Sequence, residues 1–396
     1  MEDIFIVSAV RTPLGKFGGA LASHSPVDLA AHAMKSVLTA ANVDGAELDL
    51  YIFGNVLGAG HGQLIPRQAA LKAGIPDNVD GVSLDMVCSS GMMSIMQASA
   101  LIRAGDAGLV LAGGVESMSD VGFYLSSRAR WGYKFLMGKP EQVKDLLLYD
   151  GLTDPTTDEA MGAQAERLAA ENGVTREEVD EVAAESHRRA SSAWTSGAFE
   201  HEVTPIEYRH KKEARMLEQD EGIRSDTTVE SLSSLRTAFG VDGILTAGNS
   251  SQISDGASAI LLANRATVGR LDLQPIAKLT GGTWSAGETW RFPEAPIPAV
   301  RKLLQKTNLK IEDFDLFENN EAFALNSILF HRMLGVDLDT LNVHGGAVAL
   351  GHPIGCSGAR IVTTLVHALA TRDADKGLAA ICHGTGGGTS VAIERV

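Results

Sequence analysis

The chain has 396 residues, 44% of them hydrophobic and 21% charged, enough for two or three domains with sizeable cores. Its formal charge of −15 argues against nonspecific nucleic-acid or anionic-membrane binding, because both need a broad basic surface. Three cysteines, Cys88, Cys356 and Cys382, with no CxxC spacing argue against a disulfide framework or a structural zinc site and leave thiol chemistry open.

Residues 4–7 form a strand-like apolar run with no basic stretch or long apolar segment ahead of them, so no secretion signal is expected and a cytoplasmic location is. The longest apolar runs, such as 109–112, are far shorter than a bilayer span. Residues 48–53, 109–112, 316–317 and 379–381 read as strands. Residues 92–103 and 359–370 read as helices apolar on nearly all sides, as expected of helices sandwiched between layers. This alternation predicts an α/β architecture.

From about residue 117 to 251 the composition shifts toward charge, with an exposed amphipathic helix expected over 177–189. A basic cluster follows: Arg209, His210, Lys211, Lys212 and Arg215. It reads either as a solvated charged face or as an anion site for a phosphorylated ligand. The two ends of the chain also resemble each other. Residues 47–55 echo 313–320, and Cys88-Ser89-Ser90-Gly91 echoes Cys356-Ser357-Gly358; Asn55 and Asn320 lie 265 positions apart, Cys88 and Cys356 268. Matched offsets predict a duplicated half.

Four segments carry candidate chemistry. Cys88 follows a strand-like stretch over 82–87 and precedes a helix beginning near Ser90, where the positive end of the helix dipole lowers a thiol pKa. The alternative is a buried structural cysteine. The glycine-rich turn 345–353 ends in His352, fixed by Pro353, and an imidazole is well suited to accept a thiol proton near neutral pH. Cys382 opens a glycine-rich loop through Gly388 whose amides, Gly384 among them, can approach a ligand as an oxyanion hole. A phosphate-binding loop is disfavoured there, since the lysine is absent and too few residues follow for the required helix. Asn320, in Asn320-Glu321-Ala322-Phe323 at the end of a strand, can bind a water or an oxyanion, or simply cap a helix.

In this order the four segments resemble the thiolase family. So do Ser8-Ala9-Val10-Arg11-Thr12-Pro13, Gly113-Gly114-Val115-Glu116-Ser117-Met118, and Gly248-Asn249-Ser250-Ser251 leading into Asp255-Gly256-Ala257. The resemblance runs over nearly the whole chain. It implies an α/β thiolase fold: two duplicated halves in a five-layered α/β/α/β/α core with an inserted loop domain. The implied boundaries are 1–117 for the first part of the N-terminal half, 118–251 for a loop domain with CoA-binding and oligomer contacts, 252–271 for completion of that half, and 272–396 for the C-terminal half.

The resemblance implies roles for matching positions. Cys88 would accept the acyl group, His352 take its proton, and Cys382 act as acid and base at the substrate α-carbon. Asn320 would hold a water that, with His352, stabilises one thioester oxyanion; the N–H groups of Cys88 and Gly384 would form the other oxyanion hole. Leu152, Met161, Ser251, Ala322 and Phe323 match pantetheine-lining positions, and Arg224 and Ser231 match adenine-nucleotide positions. The implied activity is a reversible acyl transfer, Claisen condensation of two acetyl-CoA to acetoacetyl-CoA plus CoA, with acyl-CoA and CoA as the partners. CoA is a substrate or product, no metal or redox cofactor is implied, and the implied assembly is a homotetramer.

Three places depart from the family pattern: Asp85 where asparagine is usual, Ala160 where histidine is common, and Phe292-Pro293-Glu294-Ala295-Pro296 where many members carry Met-Gly-x-Gly-Pro. Phe292 would then help to bound the acyl chain. His344, in Asn342-Val343-His344-Gly345-Gly346, resembles the short-chain branch of the family. The nearest rival is a broader 3-ketoacyl-CoA thiolase of fatty-acid β-oxidation. A β-ketoacyl synthase would need a second histidine where Asn320 stands, and a non-catalytic relative would be expected to lose Cys88, His352 or Cys382.

Overall fold

The protein is described here by a computed structural model covering residues 2–133 and 141–396; residues 134–140 of the 118–251 segment lie outside the described residues. In the N-terminal half, β1 (Ile4–Arg11) leads to α1 (Pro26–Ala41), β2 (Leu50–Gly54), α2 (Ile65–Ala73), β3 (Gly81–Leu84), α3 (Ser90–Ala104) and β4 (Leu109–Ser117). An inserted segment contributes α4 (Met161–Glu171) and α5 (Arg176–Thr195), after which β5 (Ser254–Asn264) returns to the sheet. The C-terminal half runs β6 (Ala277–Ala286), α6 (Pro296–Thr307), β7 (Leu316–Asn319), α7 (Ala324–Leu334), α8 (Ile354–Thr371), β8 (Lys376–His383) and β9 (Gly387–Arg395).

The strand order is β3-β2-β4-β5-β1-β6-β9-β8-β7, and its two halves repeat one pattern. In the first, β3 and β4 flank β2 in parallel, β5 is antiparallel to β4, and β1 antiparallel to β5. In the second, β8 is parallel to β7, β9 antiparallel to β8, and β6 antiparallel to β9. A single parallel bridge between Phe317 and Leu341 stands where β3 stands in the first half. The halves meet through two residue pairs, Phe5 with Lys278 and Ile6 with Ala277. The repeat foreseen from Asn55/Asn320 and Cys88/Cys356 is therefore a repeat of topology.

Helices α3 and α8 lie between the two half-sheets, α1 and α2 cover the outer face of the first, and α6 covers the second, giving five layers. The central layer explains the sequence pattern, because helices enclosed by sheets need apolar residues all round. Every residue of β1 and β4 is buried, so these strands read as continuous apolar runs rather than alternating ones. The two central helices cross at a pair of glycines. A Cβ on Gly91 would sit 2.7 Å from Ala359 N, and one on Gly358 2.4 Å from Met92 N. The echoed glycines of the two cysteine motifs thus permit backbone-to-backbone approach.

The amphipathic helix expected over 177–189 is α5, which buries one face including Val179, Ala183, His187 and Ala190 and leaves Glu177, Glu181 and Arg188 exposed. One expectation needs correction. The strand expected over 82–87 stops at Leu84. The basic cluster lies on a hairpin, Ile206–His210 with Glu213–Leu217. Ile206 and Leu217 pack in the apolar cluster that contains α1, while Arg209, Lys211, Lys212 and Arg215 are exposed and Arg215 pairs with Glu213 at 2.9 Å. Exposed cations on a hairpin suit both readings of the cluster, the solvated face and the anion site.

Candidate active site

Cys88 is thrown out of the sheet by a tight turn. Asp85 Oδ1 accepts the Val87 N–H at 2.9 Å; Ser90 Oγ accepts the Met86 N–H at 2.8 Å and donates to Val87 O at 2.6 Å. Within this turn Val87 takes φ +49°, a left-handed conformation that a β-branched residue adopts only under constraint. The turn ends β3 early and sets Cys88 just ahead of α3. It also accounts for the departure at Asp85: the turn needs a side-chain oxygen as acceptor, and a carboxylate supplies one.

The expected acidification of Cys88 by the helix terminus is not what governs its resting state. Burial pushes the thiol up, to about 12, with Glu116 and Asp85 adding in the same direction; the N–H groups of Gly384 and of Cys88 itself pull it back. Cys88 is 2% exposed, and desolvation of a thiolate outweighs a helix dipole there. The resting group is a neutral thiol that needs a base.

His352 stands two residues ahead of α8. Its Nδ1 lies 2.6 Å from Ser357 Oγ, and that hydroxyl also lies 2.9 Å from Pro353 O. A hydroxyl has one proton, and the carbonyl can only accept, so Ser357 donates to Pro353 O and accepts from Nδ1–H. The proton assignment leaves Nε2 as the free lone pair. Burial, with help from the Arg360 charge, lowers the imidazole to about 3, so at neutral pH it is unprotonated.

Cys382 closes β8 and is fully buried. Burial pushes its thiol up, as does the nearby Cys88 sulfur, while an N–H from Asn326 opposes the shift. Asn326 Nδ2 lies 3.6 Å from Cys382 Sγ. The next residues form a tight turn into β9. His383 Nδ1–H donates to Gly384 O at 2.6 Å, Thr385 Oγ donates to the same oxygen at 2.5 Å, and Thr385 takes φ +68°. Both loops that meet at Cys88 therefore carry a β-branched residue in the left-handed region. Asn320 is fully buried at the end of β7, its N–H donating to Ala380 O at 3.0 Å and its Nδ2 3.5 Å from His352 Nδ1. Asn320 Oδ1 is buried without a partner among the described residues.

The CoA-lining candidates surround this centre. Met161 opens α4, and a Cβ on Gly384 would meet its side chain at 3.5 Å; the Met161 N–H donates to Leu152 O. The Ser251 N–H donates to Ala322 O at 3.0 Å, joining the inserted segment to the loop after β7. Phe323 packs edge-on to Phe239 and tilted against Phe292, with centroids 5.8 and 6.3 Å away. Phe292 is fully buried in the cluster that also holds Cys382, Phe323 and Leu232. Ser231, beside Leu232, is exposed on the short helix Val229–Ser233, and exposed Arg224 lies just before it, its N–H donating to His187 Nδ1 at 3.2 Å. Ala160 is exposed at the start of α4 and offers no polar side chain there.

Sequence reasoning missed several residues. Ser357 fixes the His352 tautomer and sits one helical turn beyond Pro353, a signal that was legible. Glu116 is fully buried and accepts from Asn55 Nδ2, Val56 N, Leu57 N and Gly355 N, tying the loop after β2 to the start of α8. Burial pushes it up to about 7 against those donors. His187 had no local signal, and for Asn326 only the contact with Phe323 at the helix start is local, its partners Pro293 and Cys382 being distant in sequence.

A two-half α/β fold with paired thiols and an unprotonated imidazole at its centre defines an acyltransferase class. Residues 4–266 match the thiolase N-terminal domain and residues 273–395 the thiolase C-terminal domain. An acetyl-CoA acetyltransferase of a Synechocystis species is 64% identical over all 396 residues of both chains, and one from Escherichia coli is 43% identical over the same span. The crystal structure of the Bacillus anthracis acetyl-CoA acetyltransferase superposes with TM-score 0.96 at 38% identity, covering 100% of this chain and 99% of that one. Human mitochondrial 3-ketoacyl-CoA thiolase gives 0.95 at 36%, with the same coverage. The chain belongs to the thiolase family, and it is an enzyme of that family.

Proposed function

We propose that the protein is an acetyl-CoA C-acetyltransferase, condensing two acetyl-CoA to acetoacetyl-CoA plus CoA and running the reverse thiolysis. The observation that carries this reading is the nearness of two buried thiols, Cys88 and Cys382, in a fold that also buries His352 with its Nε2 lone pair left free by the Ser357 contact. The 64% identity to the Synechocystis acetyl-CoA acetyltransferase supports it.

His352 takes the Cys88 proton as the sulfur attacks the thioester carbonyl, then passes it to the CoA sulfur as the carbonyl–sulfur bond to CoA breaks, leaving the acetyl group as a Cys88 thioester. The N–H groups of Cys88 and Gly384 meet the oxyanion of that step. The Cys382 thiol gives up its own proton to solvent, and the thiolate takes an α-proton from a second acetyl-CoA; the enolate then attacks the acetyl-cysteine, whose carbon–sulfur bond breaks to release Cys88. Asn320 supports the second oxyanion: its unpartnered Oδ1 suits a water that gives its other hydrogen to the enolate oxygen. Two sulfurs are needed because one is occupied as a thioester while the other moves a proton.

Leu152, Met161, Ser251, Ala322 and Phe323 would line the pantetheine arm, and Arg224 and Ser231 the adenine nucleotide, within a CoA-binding loop domain over 118–251. Phe292, buried against Phe323, closes the acyl pocket and favours short chains. CoA is substrate and product, and no further cofactor enters the chemistry. The protein would work in the cytoplasm, whose reducing conditions keep thiols free, as a homotetramer. Two surfaces support assembly: β3 ends the sheet with one open edge, and Phe123, Leu125, Trp131 and Val143 are at least half exposed. Among the described residues no helix is long and apolar enough to cross a membrane.

The test is CoA-dependent thiolysis of acetoacetyl-CoA beside a longer 3-ketoacyl-CoA of about eight to ten carbons, compared by kcat/KM. A strong preference for acetoacetyl-CoA supports the reading. Equal or better use of the longer ester would make this a broader 3-ketoacyl-CoA thiolase, and activity on neither would overturn both.

A further inference from the structure

Asn326 is 1% exposed, in the first turn of α7, and each polar atom of its side chain has an assignable partner. Oδ1 accepts the Phe323 N–H at 2.9 Å; Nδ2 donates to Pro293 O at 2.9 Å and reaches Cys382 Sγ at 3.6 Å. A backbone N–H can be met only by the amide oxygen and a carbonyl only by the amide nitrogen, so the orientation is fixed at both ends. The second N–H has nowhere to point but the sulfur. Asn319 Nδ2 donates to Asn326 O at 3.1 Å and steadies the backbone beneath it.

The Pro293 contact ties this amide to the segment that departs from the family pattern. Phe292 of this segment packs in the cluster that holds Cys382, and Asn326 adds a hydrogen-bonded link from Pro293 O to the thiol near the end of β8. A neutral thiol is a weak acceptor and a thiolate a strong one, so a fixed N–H favours the thiolate. Both groups are buried, and in a low-dielectric surrounding that preference counts for more than it would in water.

We infer that Asn326 is a positioning residue for the acid–base half of the reaction, its locked amide directing one N–H onto Cys382 Sγ and stabilising the thiolate that forms there, once the thiol proton has passed to solvent, to take the α-proton. When Cys382 acts as base, the substrate C–H bond breaks, an S–H bond forms, and the electron pair passes to the enolate oxygen; Asn326 keeps its own hydrogen throughout. This rests on the reading of Cys382 as the acid–base group, and the experiment separates the two.

The measurement is exchange of acetyl-CoA methyl hydrogens with deuterated solvent from pH 6 to 10 in a Cys88→Ala background, where no acetyl-enzyme forms and no condensation competes. Adding Asn326→Leu or Asn326→Asp is expected to slow exchange at neutral pH about tenfold and move its rising limb up by about one pH unit. In the chain with Cys88 intact, the same variants should acetylate Cys88 at the normal rate. Asn326→Asp keeps an oxygen for the Phe323 N–H, so the helix start survives even if Asn326→Leu does not fold. Unchanged exchange profiles, or equal loss of acetylation and exchange without a pH displacement, would overturn the inference. Exchange persisting in Cys88→Ala/Cys382→Ala would instead overturn the role of Cys382.

Discussion

At Cys88 burial dominates and the resting thiol is neutral, so in the proposed mechanism nucleophilic attack would depend on His352 and on the donors that meet the developing charge. Cys88→Ala is expected to abolish condensation and thiolysis, since no other group can carry the acyl chain as a thioester at that point. Asn320→Ala should lower kcat by about 10²- to 10³-fold without abolishing it, the usual loss for one oxyanion support; steady-state thiolysis of acetoacetyl-CoA checks both. His187 gives a pH prediction. It is 1% exposed, and burial, with the Arg224 charge, lowers it to about 4 from 6.5. Its Nδ1 accepts the Arg224 N–H, so the folded chain holds the neutral ring. The unfolded chain binds a proton below pH 6.5 that the fold refuses, so this contribution is complete above 6.5 and is lost as pH falls toward 4, roughly 3 kcal/mol in all. His187→Gln should therefore lose less of its unfolding midpoint between pH 7 and 5 than the parent, measured in denaturant at both pH values.

The elements around the site act through their junctions. The turn from β3 to α3 and the turn from β8 to β9 hold Val87 and Thr385 in the left-handed region, and the crossing of α3 and α8 sets how near Cys88 comes to His352. Gly91→Ala or Gly358→Ala would drive a Cβ into backbone atoms at 2.7 and 2.4 Å, which no rotamer change can relieve. Each is expected to destabilise the chain by about 1–3 kcal/mol or more and to lower kcat more than it raises KM, read from denaturant unfolding and steady-state kinetics. The duplicated motif around each cysteine was legible in the sequence. That its glycines face each other across a helix crossing was not, because the motif spacing says nothing about which elements touch.

Across the whole molecule, the two half-sheets and the layer between them bring residues from distant parts of the chain into one centre. The open edge at β3 and the exposed apolar side chains of the inserted segment would be the surfaces of the proposed assembly. Replacing Phe123, Leu125 and Trp131 together with serine should reduce the assembly by sedimentation velocity, from tetramer to dimer, while kcat per subunit is largely kept. By itself the sequence determined the α/β class, the repeat, the family, and which cysteines, histidine and asparagine to watch, because those signals are local: apolar runs, glycine-rich turns and short motifs at fixed spacing. Only the tertiary structure decided that Cys88 rests as a neutral thiol and that Asn326 links Pro293 to Cys382. Desolvation and hydrogen bonds between residues far apart in the chain exist only once the layers have packed, and no local spacing encodes them.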